Sequence, residues 1–146
     1  MKIFQVSVFA ENKEGRLADI TGVLAKNGIN IRALSIADTT HFGILRLIVD
    51  DPYKAEKVFT DNGFTVSLTN VIAIEIPDVP GGLSKALKIL SDNNISVEYM
   101  YAFNSYIEGK AFVIIRVEES EKAIEILLNN GINLLESSVI YQDGLK

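Results

Sequence analysis

Two turns carry the residues best placed for chemistry. Asn12-Lys13-Glu14-Gly15-Arg16-Leu17 and Asp78-Val79-Pro80-Gly81-Gly82-Leu83 each set a glycine just ahead of a run with helical apolar spacing. Glycine lets the backbone approach closely, and the first N–H groups of a helix lack intrahelical partners and sit at the positive end of its dipole. Such a turn suits a carboxylate. Taken alone, it is equally the junction that any strand makes with a following helix.

The sets that enzymes use are missing. The single histidine, His41, falls beside Phe42 in a hairpin and reads as a surface loop residue. No Ser/His/Asp set forms around it, no glycine-rich phosphate loop carries a lysine, and no H-E-x-x-H motif occurs. Asp50-Asp51 and Glu118-Glu119 lie at strand-to-helix turns and read as helix caps. With no cysteine and one histidine, neither a disulfide nor a His-rich metal cluster is expected. No catalytic residue, metal or cofactor is assigned.

What positions the two turns is a repeat. Gly15 with Gly81, Leu17 with Leu83, Leu24 with Leu90, Asn27 with Asn93 and Ile29 with Ile95 pair at one separation (81 − 15 = 66). Lys54 with Lys122, Asn62 with Asn130 and Gly63 with Gly131 pair at 68 (122 − 54), so the second copy has a loop lengthened by two residues. Two copies are too few for a solenoid, so each is read as a small domain, residues 1–69 and 70–146. Domains of this size are marginal alone. The apolar content of 48% therefore points to packing between them and to a homodimer.

The net charge of −5 argues against nucleic acid, whose binding needs Lys and Arg on phosphates. No secretory pattern is visible at Met1-Lys2, and no apolar run is long enough to cross a membrane. The expectation is a cytoplasmic protein without a membrane or nucleic-acid partner.

Within the first copy, Ile3 to Phe9 alternates as a half-buried strand. A helix follows from about Arg16 to Asn27, then a hairpin of strands over Ile31 to Ala37 and Ile44 to Val49. A second helix starts at Asp51-Pro52 and stops at Gly63, and Phe64 to Leu68 closes the sheet. The second copy repeats the pattern, with strands over Ile72 to Ile76, Val97 to Phe103, Ala111 to Val117 and Leu134 to Tyr141. Strand, helix, strand, strand, helix, strand is the ferredoxin-like βαββαβ arrangement, an α+β fold with antiparallel sheets and helices on one face. Its usual strand order, 4-1-3-2, leaves strand two at an edge, and both edges are apolar. Joining them side by side gives one eight-stranded sheet.

Phe9-Ala10-Glu11-Asn12-Lys13-Glu14-Gly15-Arg16-Leu17, with Leu24-Ala25-Lys26-Asn27-Gly28-Ile29-Asn30-Ile31 after it, resembles an ACT domain, a small-molecule sensing module attached to many amino-acid biosynthetic enzymes. The likeness covers both copies, and the whole resembles stand-alone tandem ACT proteins and the regulatory subunit of acetohydroxyacid synthase. It implies a non-catalytic regulatory protein that binds a free amino acid at the seam of two ACT units and acts on a separate enzyme of amino-acid metabolism. Asn12, Gly15 and Asn30 match the family's binding positions. The N–H groups of Arg16 and Leu17 then hold an α-carboxylate, and Asn12 or Asn30 accepts from the ammonium.

In the second copy the corresponding ligand-binding set is Pro80, Gly81, Gly82, Leu83, Ser96 and Tyr99. Asn12 becomes Asp78 (12 + 66) and Asn30 becomes Ser96 (30 + 66), so the two sites are expected to differ, one of them weak or empty. Gly82 in place of Arg16 lets a ligand come closer, while Tyr99 and Tyr101 either wall a pocket or fill a domain interface. Two other readings share the topology. An acylphosphatase-like hydrolase would use Arg16 and Asn30 but lacks its phosphate cradle, and an RNA-recognition domain would need stacked aromatics that Gly43 to Val49 does not offer.

Overall fold

The computed structural model describes residues 2–38, 41–104 and 107–142. Thr39 and Thr40 of the expected hairpin loop lie outside the described residues, as do the two ends of the chain at Met1 and residues 143–146. Two compact units emerge. One is Phe4–Thr69 with the C-terminal stretch from Ser138, and the other is Asn70–Ser137 with the start of the chain through Ile3.

The first unit contains β1 (Lys2–Glu11), α1 (Arg16–Lys26), β2 (Ile31–Asp38), β3 (Phe42–Val49), α2 (Pro52–Asp61) and the opening residues of β4 (Val66–Pro77). Its strand order is β2-β3-β1-β4, the expected one. β1 and β3 pair antiparallel from Val6↔Leu47 to Glu11↔Phe42, which carries the turn after Glu11 to the same end of the sheet as the β2–β3 hairpin. Val6, Val8 and Ala10 alternate onto the face covered by Ile20 and Leu24 of α1 and Phe59 of α2. Phe59 is fully buried and meets Phe64 edge to face at 5.7 Å, a placement that contributes about 1.5–3 kcal/mol over exposure.

The second unit holds the rest of β4, α3 (Gly82–Asp92), β5 (Val97–Ala102), β6 (Lys110–Val117), α4 (Ser120–Asn129) and β7 (Asn133–Leu134). β4 pairs with β6 and with β7, and β5 pairs with β6. Its core is the first one transposed. Val6, Val8, Leu24 and Ile29 become Ile72, Ile74, Leu90 and Ile95 at 66 residues, and Ala55 and Phe59 become Ala123 and Leu127 at 68. The bulge between Ile31 and Ala33 recurs between Val97 and Tyr99.

The helices end alike. The side-chain amides of Asn27, Asn62, Asn93 and Asn130 donate to the carbonyls four residues back, of Val23, Val58, Ile89 and Ile126, at 2.7–2.8 Å. Carbonyls in the last turn of a helix run short of intrahelical donors, and the amides add to them; those of Val58 and Ile126 also accept from the N–H of Asn62 (3.1 Å) and Asn130 (3.2 Å). At the start of α2, Pro52 stands in the first turn and the Asp51 side chain accepts from Lys54 N–H at 3.1 Å, as expected from the sequence.

One expected element is different. Leu134 to Tyr141 is not a strand: pairing stops at Leu134, and α5 (Ser137–Gln142) follows. Glu136-Ser137-Ser138 interrupts the apolar alternation, and serine side chains compete for backbone groups in a way that favours helix starts over ladders. Ile140 of this short helix is fully buried, and the Tyr141 hydroxyl accepts from Phe4 N–H at 3.2 Å.

Candidate functional site

Gly15 and Gly81 hold the N-cap positions of α1 and α3 in nearly the same left-handed conformation, φ 81° and 86°, and neither helix has a side-chain cap. A left-handed step costs an L-residue about 1–2 kcal/mol, hence glycine at both. The backbone around each is also fixed alike. Asn12 N–H donates to the His41 carbonyl at 3.1 Å, and Asp78 N–H to the Gly109 carbonyl at 3.0 Å, tying each turn to its hairpin. Arg16 N–H is already given to the Lys13 carbonyl (3.2 Å), and Gly82 N–H to that of Val79 (3.0 Å). The N–H groups left to face a ligand at the two turns are those one residue further on, beginning with Leu17 and Leu83.

A cleft of ≈ 260 Å³ opens beside the first turn, lined by Asn12, Lys13, Arg16 and Leu17 together with Glu11 and Asp38. Lys13 Nζ pairs with Glu11 Oε2 at 2.7 Å. That hydrogen bond and the Lys13 charge hold the Glu11 carboxyl below its ordinary value, and the Arg16 charge adds in the same direction. Arg16 places its guanidinium 4.6 Å from the centre of the Phe64 ring, and its Nε is buried without a hydrogen-bond partner. Asp38, at the tip of β2 opposite Gly43, makes no ion pair among the described residues. The cleft thus presents an under-used cation near an uncompensated carboxylate.

A larger cleft, ≈ 490 Å³, lies beside the second turn, where Pro80, Gly81 and Gly82 line it. Leu83 is outside it, on a shallow groove of α3 with Leu87. Gly82 has a steric reason of its own: a Cβ there would run into the Pro77 backbone carbonyl.

The remaining sequence-derived residues stand apart from the turn of their own unit. Asn30 precedes β2 at the end of the sheet marked by Ile31↔Val49, whereas the turn adjoins Glu11↔Phe42. Its N–H donates to Asp50 Oδ1 (3.1 Å), its carbonyl accepts from Asp50 N–H (3.2 Å), and the residue is exposed. Arg16 and Asn30, the pair an acylphosphatase-like reading needs, are therefore at opposite ends of this ladder. Ser96 precedes β5 at the corresponding far end of the second unit, and Tyr99 is stacked with Tyr101, ring centres 6.5 Å apart. Asp38 and Glu11 were not singled out by sequence reasoning. The only signal was their register opposite Gly43 and Phe42, which becomes visible once the strands are paired.

Solved structures share the fold. A crystal structure of a protein from Bacteroides thetaiotaomicron is similar over 97% of this chain and 97% of that one, with 46% identity and a TM-score of 0.91. The ligand-free regulatory subunit of aspartate kinase from Thermus thermophilus is similar in fold over 88% of this chain and 92% of that one (17% identity, TM-score 0.64). The Thermus flavus subunit is too, over 88% and 94% (17%, 0.57). No curated protein matches the sequence. The model of the ACT domain pair matches residues 1–142, and the chain belongs to that family.

Proposed function

We propose that this protein is a non-catalytic regulatory sensor of a free amino acid, bound at the turns that open α1 and α3. Family membership and the fold shared with aspartate kinase regulatory subunits support the regulatory role. One observation carries the ligand class. In the first cleft the Arg16 guanidinium, its Nε buried and unpartnered, shares the space with Asp38. A ligand carboxylate satisfies Arg16 and the N–H of Leu17, and the ammonium of the same molecule satisfies Asp38 with Asn12 at its side. A simple anion would meet Asp38 and Glu11 unfavourably, and a simple cation would meet Arg16. A zwitterion suits both. The signal passes to a separate enzyme of amino-acid metabolism.

Thermal unfolding against the twenty amino acids tests this. A ligand at a hundred times its dissociation constant adds about 2.7 kcal/mol, a shift of several degrees for a chain of this size. At least one amino acid is expected to raise the melting temperature. A melt that none of them moves removes the proposal.

A further inference from the structure

Position for position, the second unit rebuilds the surroundings of Arg16 with different chemistry. Phe9, Arg16, Phe42 and Thr65 correspond to Glu75 (9 + 66), Gly82 (16 + 66), Lys110 (42 + 68) and Asn133 (65 + 68). In the first unit these positions surround a cleft of ≈ 340 Å³ where Arg16 covers Phe64 and Phe9 and Phe42 stand exposed. In the second, no side chain stands at Gly82, and the ≈ 490 Å³ cleft is lined by three charged side chains, Glu75, Lys85 and Lys110.

Those charges are arranged. Lys110 Nζ donates to Glu75 Oε1 at 3.3 Å, and Asn133 Nδ2 donates to Oε2 at 3.2 Å, so the carboxylate is held at both oxygens while each keeps a further lone pair. The Glu75 side chain is 19% exposed against 47% for Lys110, which places the anion at the inner end of the pair. Lys85, on the first turns of α3, has no ion pair among the described residues. Ile76 and Ile132 supply buried apolar floor.

We propose that this cleft is a second ligand site and that it takes an amino dicarboxylic acid. The ammonium donates to Glu75, and the two carboxylates accept from Lys85 and Lys110. Three fixed charges, net +1, meet three ligand charges of opposite order, net −1. A monocarboxylic amino acid leaves one lysine uncompensated, and an inorganic anion has nothing to offer Glu75. The inference rests on the amino-acid-sensing reading but concerns side chains which that reading does not use.

Isothermal titration of the full chain with L-aspartate, L-glutamate and L-leucine, repeated on Lys85→Ala, Glu75→Gln and Arg16→Ala, decides it. Lys85 is exposed and unpaired, so Lys85→Ala keeps the fold. An acidic amino acid is expected to bind. Lys85→Ala and Glu75→Gln should each weaken it by roughly tenfold or more, the loss of one charge-assisted contact. Acidic ligands that fail to bind, or that bind equally well to Lys85→Ala, overturn the second site. Should a neutral amino acid bind through Arg16 alone, the sensor reading stands while this inference falls. Should no amino acid bind at all, both fall.

Discussion

Asn94, at φ 60°, takes the left-handed step that Gly28, at φ 67°, takes one repeat earlier (28 + 66 = 94). The chain leaves α1, α2 and α4 through Gly28, Gly63 and Gly131, and leaves α3 through an asparagine. Asparagine tolerates this region better than other side chains but still crowds its own backbone. Asn94→Gly should therefore stabilise the protein by about 0.5–1 kcal/mol, since the side chain is exposed and no contact depends on it. Urea titration should show a higher midpoint at unchanged slope. A lower midpoint would mean that Asn94 contributes more through its side chain than it loses through its backbone.

The repeat was legible because burial copies faithfully. Val8 and Ile74 sit at the same place in their cores, as do Ala55 and Ala123, so apolar spacing read from the chain marked real interior positions. The C-terminus was not, because Val139, Ile140 and Tyr141 look like a strand until Ser137 and Ser138 are given a helix to start. At the candidate sites, the glycines and Arg16 were readable from local turn chemistry. Asp38 was not, since it reaches the first cleft only through the register of two paired strands. Gly82 was read for the room it leaves, whereas part of its reason is the Pro77 carbonyl close behind it.

That close approach makes Gly82→Ala informative. In the first unit the same position carries Arg16, so the helix start itself accepts a side chain. In the second, a methyl group meets backbone rather than a flexible side chain, and the turn must shift. A cost of about 1–3 kcal/mol is expected, read as a fall in melting temperature. An unchanged melt would show that the turn yields without penalty.

Tyr141 gives the protein an alkaline limit. Burial pushes its hydroxyl up from the ordinary tyrosine value, the Phe4 N–H pulls it back in part, and neighbouring Tyr53 raises it further. A raised value favours the neutral phenol in the folded state. Its contribution is thus complete below the ordinary value of about 10 and is lost as pH climbs through the folded one. Tyr141→Phe removes the acceptor of Phe4 N–H, at a cost of about 1 kcal/mol near neutrality, and should flatten the fall in melting temperature at alkaline pH. Equal alkaline slopes in the two proteins would place the sensitivity elsewhere.

Arg16 separates structural from ligand roles most sharply. Its guanidinium over Phe64, half-buried, contributes about 0.5–2 kcal/mol as a cation–π contact, and lysine recovers much of that because it keeps the positive charge. Lysine does not reproduce a planar fork on a carboxylate. Arg16→Lys should therefore leave the unliganded melt within about 1 kcal/mol of the parent while weakening the amino acid bound in the first cleft about tenfold or more. Arg16→Ala should lose both. If Arg16→Lys binds as well as the parent, the carboxylate is held by the helix N–H groups and the guanidinium serves Phe64 alone.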